Sequence, residues 1–118
     1  IMSSFWAVLN GQSQLGTTLH YIEDAGIDMG SIIGFSQMTL DTKRSLVFNI
    51  NALYEGGCAL LVRYVEKISQ GLAFETLQQK DVGEGCYFSY PKAKDIERFE
   101  AIMPLIKDED ALEILSKW

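Results

Sequence analysis

The stretch L-G-T-T-L-H-Y-I-E-D-A-G-I-D-M-G-S-I-I-G, residues 15–34, decides how the rest of the chain is read. Residues 16–22 are rich in β-branched and aromatic side chains, which predicts a strand. Residues 23–30 carry three acids and two glycines and predict a loop. Residues 31–40, S-I-I-G-F-S-Q-M-T-L, predict a second strand, with Gly34 marking a bulge or the close approach of another backbone. The centre of the chain is thus two strands joined by an acidic, glycine-flanked loop.

Upstream, Ser3 or Ser4 is placed to cap a short helix through Leu9, and Asn10-Gly11 is its stop signal. Downstream, Asp41-Thr42 predicts a helix start. From there Leu46, Ile50, Leu53, Tyr54, Cys58, Leu61, Val65 and Ile68 recur at spacings of three and four, the period of a helix burying one stripe, and Gly71 closes it. Gly56-Gly57 inside that helix costs about 1 kcal/mol per residue relative to Ala, so close packing is expected there. Residues 74–79 and 86–90 predict the arms of a hairpin that ends at Pro91. Residues 94–102 place Ile96, Phe99 and Ile102 on one helix side. Pro104 breaks that pattern, and a last helix over 108–117 is expected to turn Leu112 and Leu115 inward. The order predicts a mixed α/β fold: a strand pair plus a long helix, then a hairpin and terminal helices.

The 118 residues suffice for one modest core, and 47% hydrophobic content with two prolines argues for an ordered globular chain. The longest apolar run, residues 58–65, is interrupted by Arg63 and falls short of the roughly 20 residues a membrane span needs. No basic head precedes an apolar core, so no secretory leader is expected. Ile1 leads almost directly into the apolar residues 5–9, an opening expected of a piece of a longer protein. Acids outnumber bases 16 to 10, and the basic clusters Lys43-Arg44 and Lys92/Lys94 are short, which disfavours DNA or RNA as a partner. Cys58 and Cys86 lie too far apart for a CxxC signature. Cys58 reads as a small buried hydrophobe, and the expected compartment is cytoplasmic.

The densest group of reactive side chains is His20, Glu23, Asp24 and Asp28, within nine residues. Glycines at 16, 26, 30 and 34 flank it and let backbone come close to a ligand. A carboxylate held partly out of water at a strand end serves as a base or steadies an imidazolium. The plain reading stands beside this one, since loops between strands are often acidic and glycine-rich for no catalytic reason. A metal reading draws on the same four side chains, but their spacing matches neither an EF-hand loop nor an H-E-x-x-H helix, so no metal is expected.

The ordered series W-A-V-L-N-G (residues 6–11), G-T-T-L-H (16–20) and D-A-G-I-D-M-G-S-I-I (24–33) resembles the 10-formyltetrahydrofolate-dependent formyltransferases. The likeness covers residues 1–91, including the long helix and the Gln-rich Leu77-Gln78-Gln79…Tyr87-Phe88, and does not reach 92–118, which is set apart as a helical tail. It implies the C-terminal half of a Rossmann-like catalytic domain that uses 10-formyltetrahydrofolate as formyl donor and a primary amine as acceptor. By position, Asp28 resembles the family's catalytic aspartate, which holds the catalytic histidine and a water. Ile22, Glu23, Asp24, Ala25, Gly26 and Ile27 resemble the loop that grips the pterin ring, while His20 and Gly30 match motif positions of other role. The general acid–base histidine belongs to an upstream Asn-x-His motif that this sequence does not contain, so the chain by itself is expected to be inactive.

Two departures bear on the fit. The loop between His20 and Asp28 is one residue longer than the usual pattern, and Met29 stands where a small residue or Thr is common. The tail D-E-D-A-L-E is acidic and short, whereas a transfer-RNA formyltransferase carries an extra basic C-terminal domain. The resemblance therefore favours a small amine such as an amino-sugar nucleotide over RNA, with purine-nucleotide formylation left open beside it. The alternative is a non-catalytic binding or assembly module that keeps the fold. Such a module would expose strand edges and the apolar faces of Phe5, Trp6 and Phe35, with homo-oligomerisation one outcome.

Overall fold

Helix α1, Met2–Leu9, buries Phe5 and Val8 three positions apart on one face. It is already formed at Met2, so Ser3 and Ser4 lie inside it and not at its cap. It ends at Gly11 (φ 81°), where Gly11 N–H donates to Val8 O and Gln12 N–H to Ala7 O, both at 2.9 Å. The computed structural model describes residues 2–23, 25–26, 29–83 and 88–117.

β1 (Gln14–His20) and β2 (Ile32–Thr39) pair antiparallel from Gln14↔Thr39 to Leu19↔Gly34. The register then shifts so that His20 faces Ile32, leaving Ile33 as the extra residue of a bulge beside Gly34. α2 (Leu46–Ser69) crosses one face of this pair. A Cβ on Gly56 would overlap the Ser36 hydroxyl, and one on Gly57 would stand 3.2 Å from Thr17 Oγ1, so the two glycines set how closely helix and sheet approach. The helix does not start at Asp41-Thr42. The Asp41 carboxylate instead accepts from Lys43 N–H at 2.9 Å in a local turn, and the Ser45 hydroxyl caps α2 by accepting from Phe48 N–H.

α3 (Ala93–Glu100) packs on α1, with the Phe5 and Phe99 rings stacked 4.6 Å apart, and α4 (Asp108–Ser116) packs on α2. The core joins Phe5, Val8, Leu15, Leu46, Leu53, Phe99 and Met103. Full burial of side chains of this size contributes about 1.5–3 kcal/mol each, so this cluster anchors the fold. Phe5 is buried, and Trp6 stacks on Phe88 and donates Nε1–H to Ser89 O at 2.9 Å, so of the three faces expected to be open only Phe35 is exposed.

Four further expectations are corrected. Residues 74–79 form no strand: Leu77 makes an isolated bridge with Ile32, and a short 3-10 turn follows at Gln79–Asp81. Phe88–Tyr90 join no ladder, and Cys86 and Tyr87 lie outside the described residues, so no hairpin is seen. On α2 the buried face is that of Leu46, Asn49, Leu53 and Leu60, leaving Tyr54, Cys58, Leu61, Val65 and Ile68 exposed. On α4, Asp110 points inward while Leu112 and Leu115 are 68% and 69% exposed, because the inner face answers the polar start of α2. No helix among the described residues is long and apolar enough to cross a membrane.

Candidate functional site

The connection between β1 and β2 emerges from the bulged end of the strand pair, and its two feet are fastened together. Tyr21 N–H donates to Ser31 O at 3.0 Å, extending the ladder by one bond. The Glu23 carboxylate then accepts from both Ser31 N–H (3.2 Å) and Ser31 Oγ (2.8 Å). Ser31 is buried, so an unpaired amide there would be costly, and the charged acceptor strengthens both bonds.

A second segment braces the same feet. Gln78 Nε2 donates to Ser31 Oγ at 3.0 Å, Gln79 Nε2 donates to Gly30 O at 2.9 Å, and Ile32 and Leu77 exchange backbone bonds of 2.8 and 2.9 Å. Aromatic packing runs outward from there: Tyr21 stacks on Phe74 at 6.3 Å, and Phe74 meets the edge of Tyr64 on α2 at 5.0 Å. Gly30 is forced by this closure, because a Cβ would overlap the Tyr21 carbonyl. Its absent side chain serves the approach of the two feet.

His20, at the end of β1, has Nδ1 3.0 Å from Tyr21 O. A carbonyl only accepts, so Nδ1 carries the hydrogen of that bond. Beyond the feet, Ile22 is 90% and Met29 67% exposed, and Ala25 and Gly26 are exposed as well. The loop therefore presents apolar surface on a stiff base, a combination suited to a flat ring. Asp28, Asp24 and Ile27 lie outside the described residues. The structure brings together Glu23, Gly30 and His20 at the foot of the loop and adds Ser31, Gln78, Gln79 and Phe74. Two glutamines some fifty positions downstream carry no local signal that would have tied them to this loop.

No family model matches the chain. A methionyl-tRNA formyltransferase from Flavobacterium psychrophilum is 28% identical over 74 residues, which is 63% of this chain and 23% of that protein. Among solved structures, the N-formyltransferase from Helicobacter canadensis, in complex with folinic acid and dTDP-3-aminofucose, is similar with a TM-score of 0.55 and 25% identity. WlaRD, a sugar 3N-formyl transferase crystallised with dTDP and 5-N-formyl-THF, gives a TM-score of 0.50 and 26% identity. Both likenesses cover 92% of this chain but only 43% and 45% of those chains. The chain thus spans about a quarter of the curated relative and under half of the solved structures. These relatives support a formyltransferase family for the chain, at partial coverage.

Proposed function

We propose that this chain is the loop-bearing part of an enzyme that transfers a formyl group from 10-formyltetrahydrofolate to a primary amine, with an amino-sugar nucleotide as the favoured acceptor. The observation that carries the reading is the strand–loop–strand unit with its ordered motif series, set in a fold similar to two N-formyltransferases over 92% of the chain. Those two proteins were crystallised with a formyl-folate and a dTDP sugar or dTDP, which supports the donor and leans the acceptor toward a sugar nucleotide. The methionyl-tRNA relative keeps RNA as the competing acceptor, against which the excess of acids over bases speaks.

In this reading the amine nitrogen attacks the formyl carbon, the bond from that carbon to the folate N10 breaks, and the proton lost by the amine ends on N10. The braced loop supplies the pterin seat, with Ile22 offering apolar contact to the ring. Asp28 keeps the catalytic histidine charged and a water in place, and that histidine comes from a part of the domain outside this sequence. Positioning of this kind and proton transfer are the two contributions such a site makes to the rate.

The test uses the longest polypeptide its gene encodes, incubated with 10-formyltetrahydrofolate and either a dTDP-amino sugar or methionyl-tRNA while tetrahydrofolate release is followed. Transfer to the sugar, with Asp28→Asn lowering the rate by about 100-fold or more as expected for general acid–base partners, supports the proposal. Equal inactivity of both proteins on every amine sinks it.

A further inference from the structure

The outer side of β2 is open over most of its length. Leu40 N–H donates to Ser13 O at 2.9 Å, and the antiparallel ladder alternates from that bond. Ser36 and Met38 therefore bond inward to β1, while the backbone N–H and C=O groups of Phe35, Gln37 and Thr39 point outward. Among the described residues this outer side is met at Ile32, by the bridge to Leu77, and at no later position of the strand. Residues 35–39, F-S-Q-M-T, carry no charge and no proline, two devices that keep another strand away from an edge.

Beside this edge, on the face that α2 covers, lies a cavity of about 300 Å³ between Ser36 and Met38 of β2 and Ala52, Glu55, Gly56 and Ala59 of α2. The four helix positions share one flank. Three of them are small, so the flank is hollow, and Glu55, which is exposed, sets a carboxylate at its rim. No basic side chain lines the cavity among the described residues.

Gly57 faces Thr17 of β1 and Gly56 faces Ser36 of β2, so α2 sits over the line between the two strands. A strand added beyond β2 would run about 7 Å to one side of the α2 axis, one and a half strand spacings. Its side chains opposite Ser36 and Met38 would rise on the α2 side, against the hollow flank. A side chain entering there meets small aliphatic walls first and a carboxylate beyond them. Lysine and arginine match that order, with an apolar stem and a cationic tip. A second copy of this chain does not match it. Self-pairing of β2 would offer the hollow an uncharged Ser36 or Met38 and bring Glu55 toward its own copy, on chains of net charge −6 each.

We propose that residues 35–39 and the hollow flank of α2 form a docking site for an extended basic peptide segment of a partner protein. The segment adds a strand to β2 and seats one lysine or arginine side chain between Ala52, Gly56 and Ala59, with its cation at Glu55. Main-chain bonds give a site of this kind its affinity, and the side-chain pocket gives its selectivity. The acidic surface of the chain steers a basic segment toward it. The braced loop joins β2 at the opposite end, next to Ile32, so the site stands apart from the formyl-transfer reading and does not depend on it.

The experiment titrates the 118-residue chain into a rhodamine-labelled peptide of seven residues, with capped ends, in which threonines alternate with valine, a central lysine and valine. Fluorescence anisotropy should show 1:1 binding with a Kd of about 100 µM or tighter that weakens as salt is added. Amide hydrogen exchange across residues 35–39 should slow by about tenfold at saturation. Norleucine in place of the peptide's lysine should weaken binding by about tenfold, and Glu55→Gln by a similar factor. Ala59→Leu, which fills the hollow with a good helix former, and Gln37→Pro, which removes an outward N–H and spares the β1–β2 ladder, should each do the same. Glu109→Gln removes the same charge from the exposed start of α4 and should leave the affinity within about twofold. No binding at about 1 mM peptide overturns the proposal, as does an affinity indifferent to the lysine or to Glu55. Butylammonium chloride displacing the peptide at equal concentration would reduce the site to a cation pocket with no strand added, and would overturn it too. Protection of residues 35–39 on concentrating the chain alone would give the edge to a second copy and overturn it equally.

Discussion

At the scale of single residues, the loop depends on one missing carbon and one carboxylate. Gly30→Ala places a Cβ against the Tyr21 carbonyl, and the two feet of the loop must part to admit it. Overpacking of this kind costs about 1–3 kcal/mol. A urea melt should show a lower midpoint at unchanged slope, and an unaltered midpoint would mean the feet are not closed as described. Glu23 carries a second prediction. Resemblance gives it to the folate, whereas its two oxygens here accept from Ser31. Glu23→Ala should therefore destabilise the ligand-free chain by about 1–3 kcal/mol, the cost of a buried donor left unpaired. A variant that melts like the parent and loses only folate affinity would return Glu23 to the ligand.

At the scale of elements, the start of α2 shows how four free N–H groups are disposed of. Ser45 N–H donates to the Asp110 carboxylate at 2.6 Å, Leu46 N–H to Pro104 O at 2.9 Å, Val47 N–H to Leu105 O at 3.1 Å and Phe48 N–H to the Ser45 hydroxyl at 3.3 Å. Arg44 closes the group, pairing with Asp110 at 2.6 Å and with Glu113, its guanidinium 3.5 Å from the Phe48 ring centre. Burial pushes the Asp110 carboxyl up, but the hydrogen bonds from Ser45 and then the charges of Arg44 and Lys107 outweigh it, so the carboxyl titrates below its ordinary range. The Arg44 hydrogen bond draws Glu113 down against its own desolvation. A carboxylate depressed in the folded state gives stability that is complete above its unfolded pKa of about 4 and is lost as pH falls through the lower folded value. The melting temperature should therefore drop with pH below about 4, and the gap between the parent and Asp110→Asn should close there. A gap that stays constant from pH 7 to pH 2 would show that Asp110 acts by packing alone.

That same element shows what was legible in the sequence. The 3.6-residue period of α2 and its Gly71 stop are local properties and read correctly, and Leu72 N–H indeed donates to Lys67 O at 3.0 Å past a Gly71 of φ 67°. Both strands read correctly for the same reason, from β-branched runs and punctuation. Which stripe of α2 faces the sheet did not, because two apolar stripes share the helix and only contact with Thr17 and Ser36 selects the one containing Gly56-Gly57. The true cap, Ser45, was hidden behind Asp41-Thr42, since its strength comes from Asp110, sixty-five positions away. At the loop, glycine and acid content marked the place, while the bracing by Gln78 and Gln79 is a long-range property that no spacing rule contains.

At the scale of the whole molecule, the question is whether residues 92–118 stand apart from the rest or hold it together. They supply Phe99 and Met103 to the same core as Phe5 and Leu46. They also supply three of the acceptors that satisfy the start of α2, on Pro104, Leu105 and Asp110. Removing them would uncover the Phe5 ring and strand three amides at once, each of which costs about 1–3 kcal/mol if it stays buried. A domain of this size has only about 5–15 kcal/mol of stability in all. Two outcomes follow. Phe99→Ala, which opens a cavity between α1 and α3, should cost about 3–5 kcal/mol in a denaturant melt. Chain ending at residue 91 should show no cooperative thermal transition, whereas the full chain melts in a single step seen alike by far-ultraviolet dichroism and by Trp6 fluorescence. Two separate transitions in the full chain, or a cooperative melt of the shortened one, would make the last two helices an appendage and not a structural part of the fold.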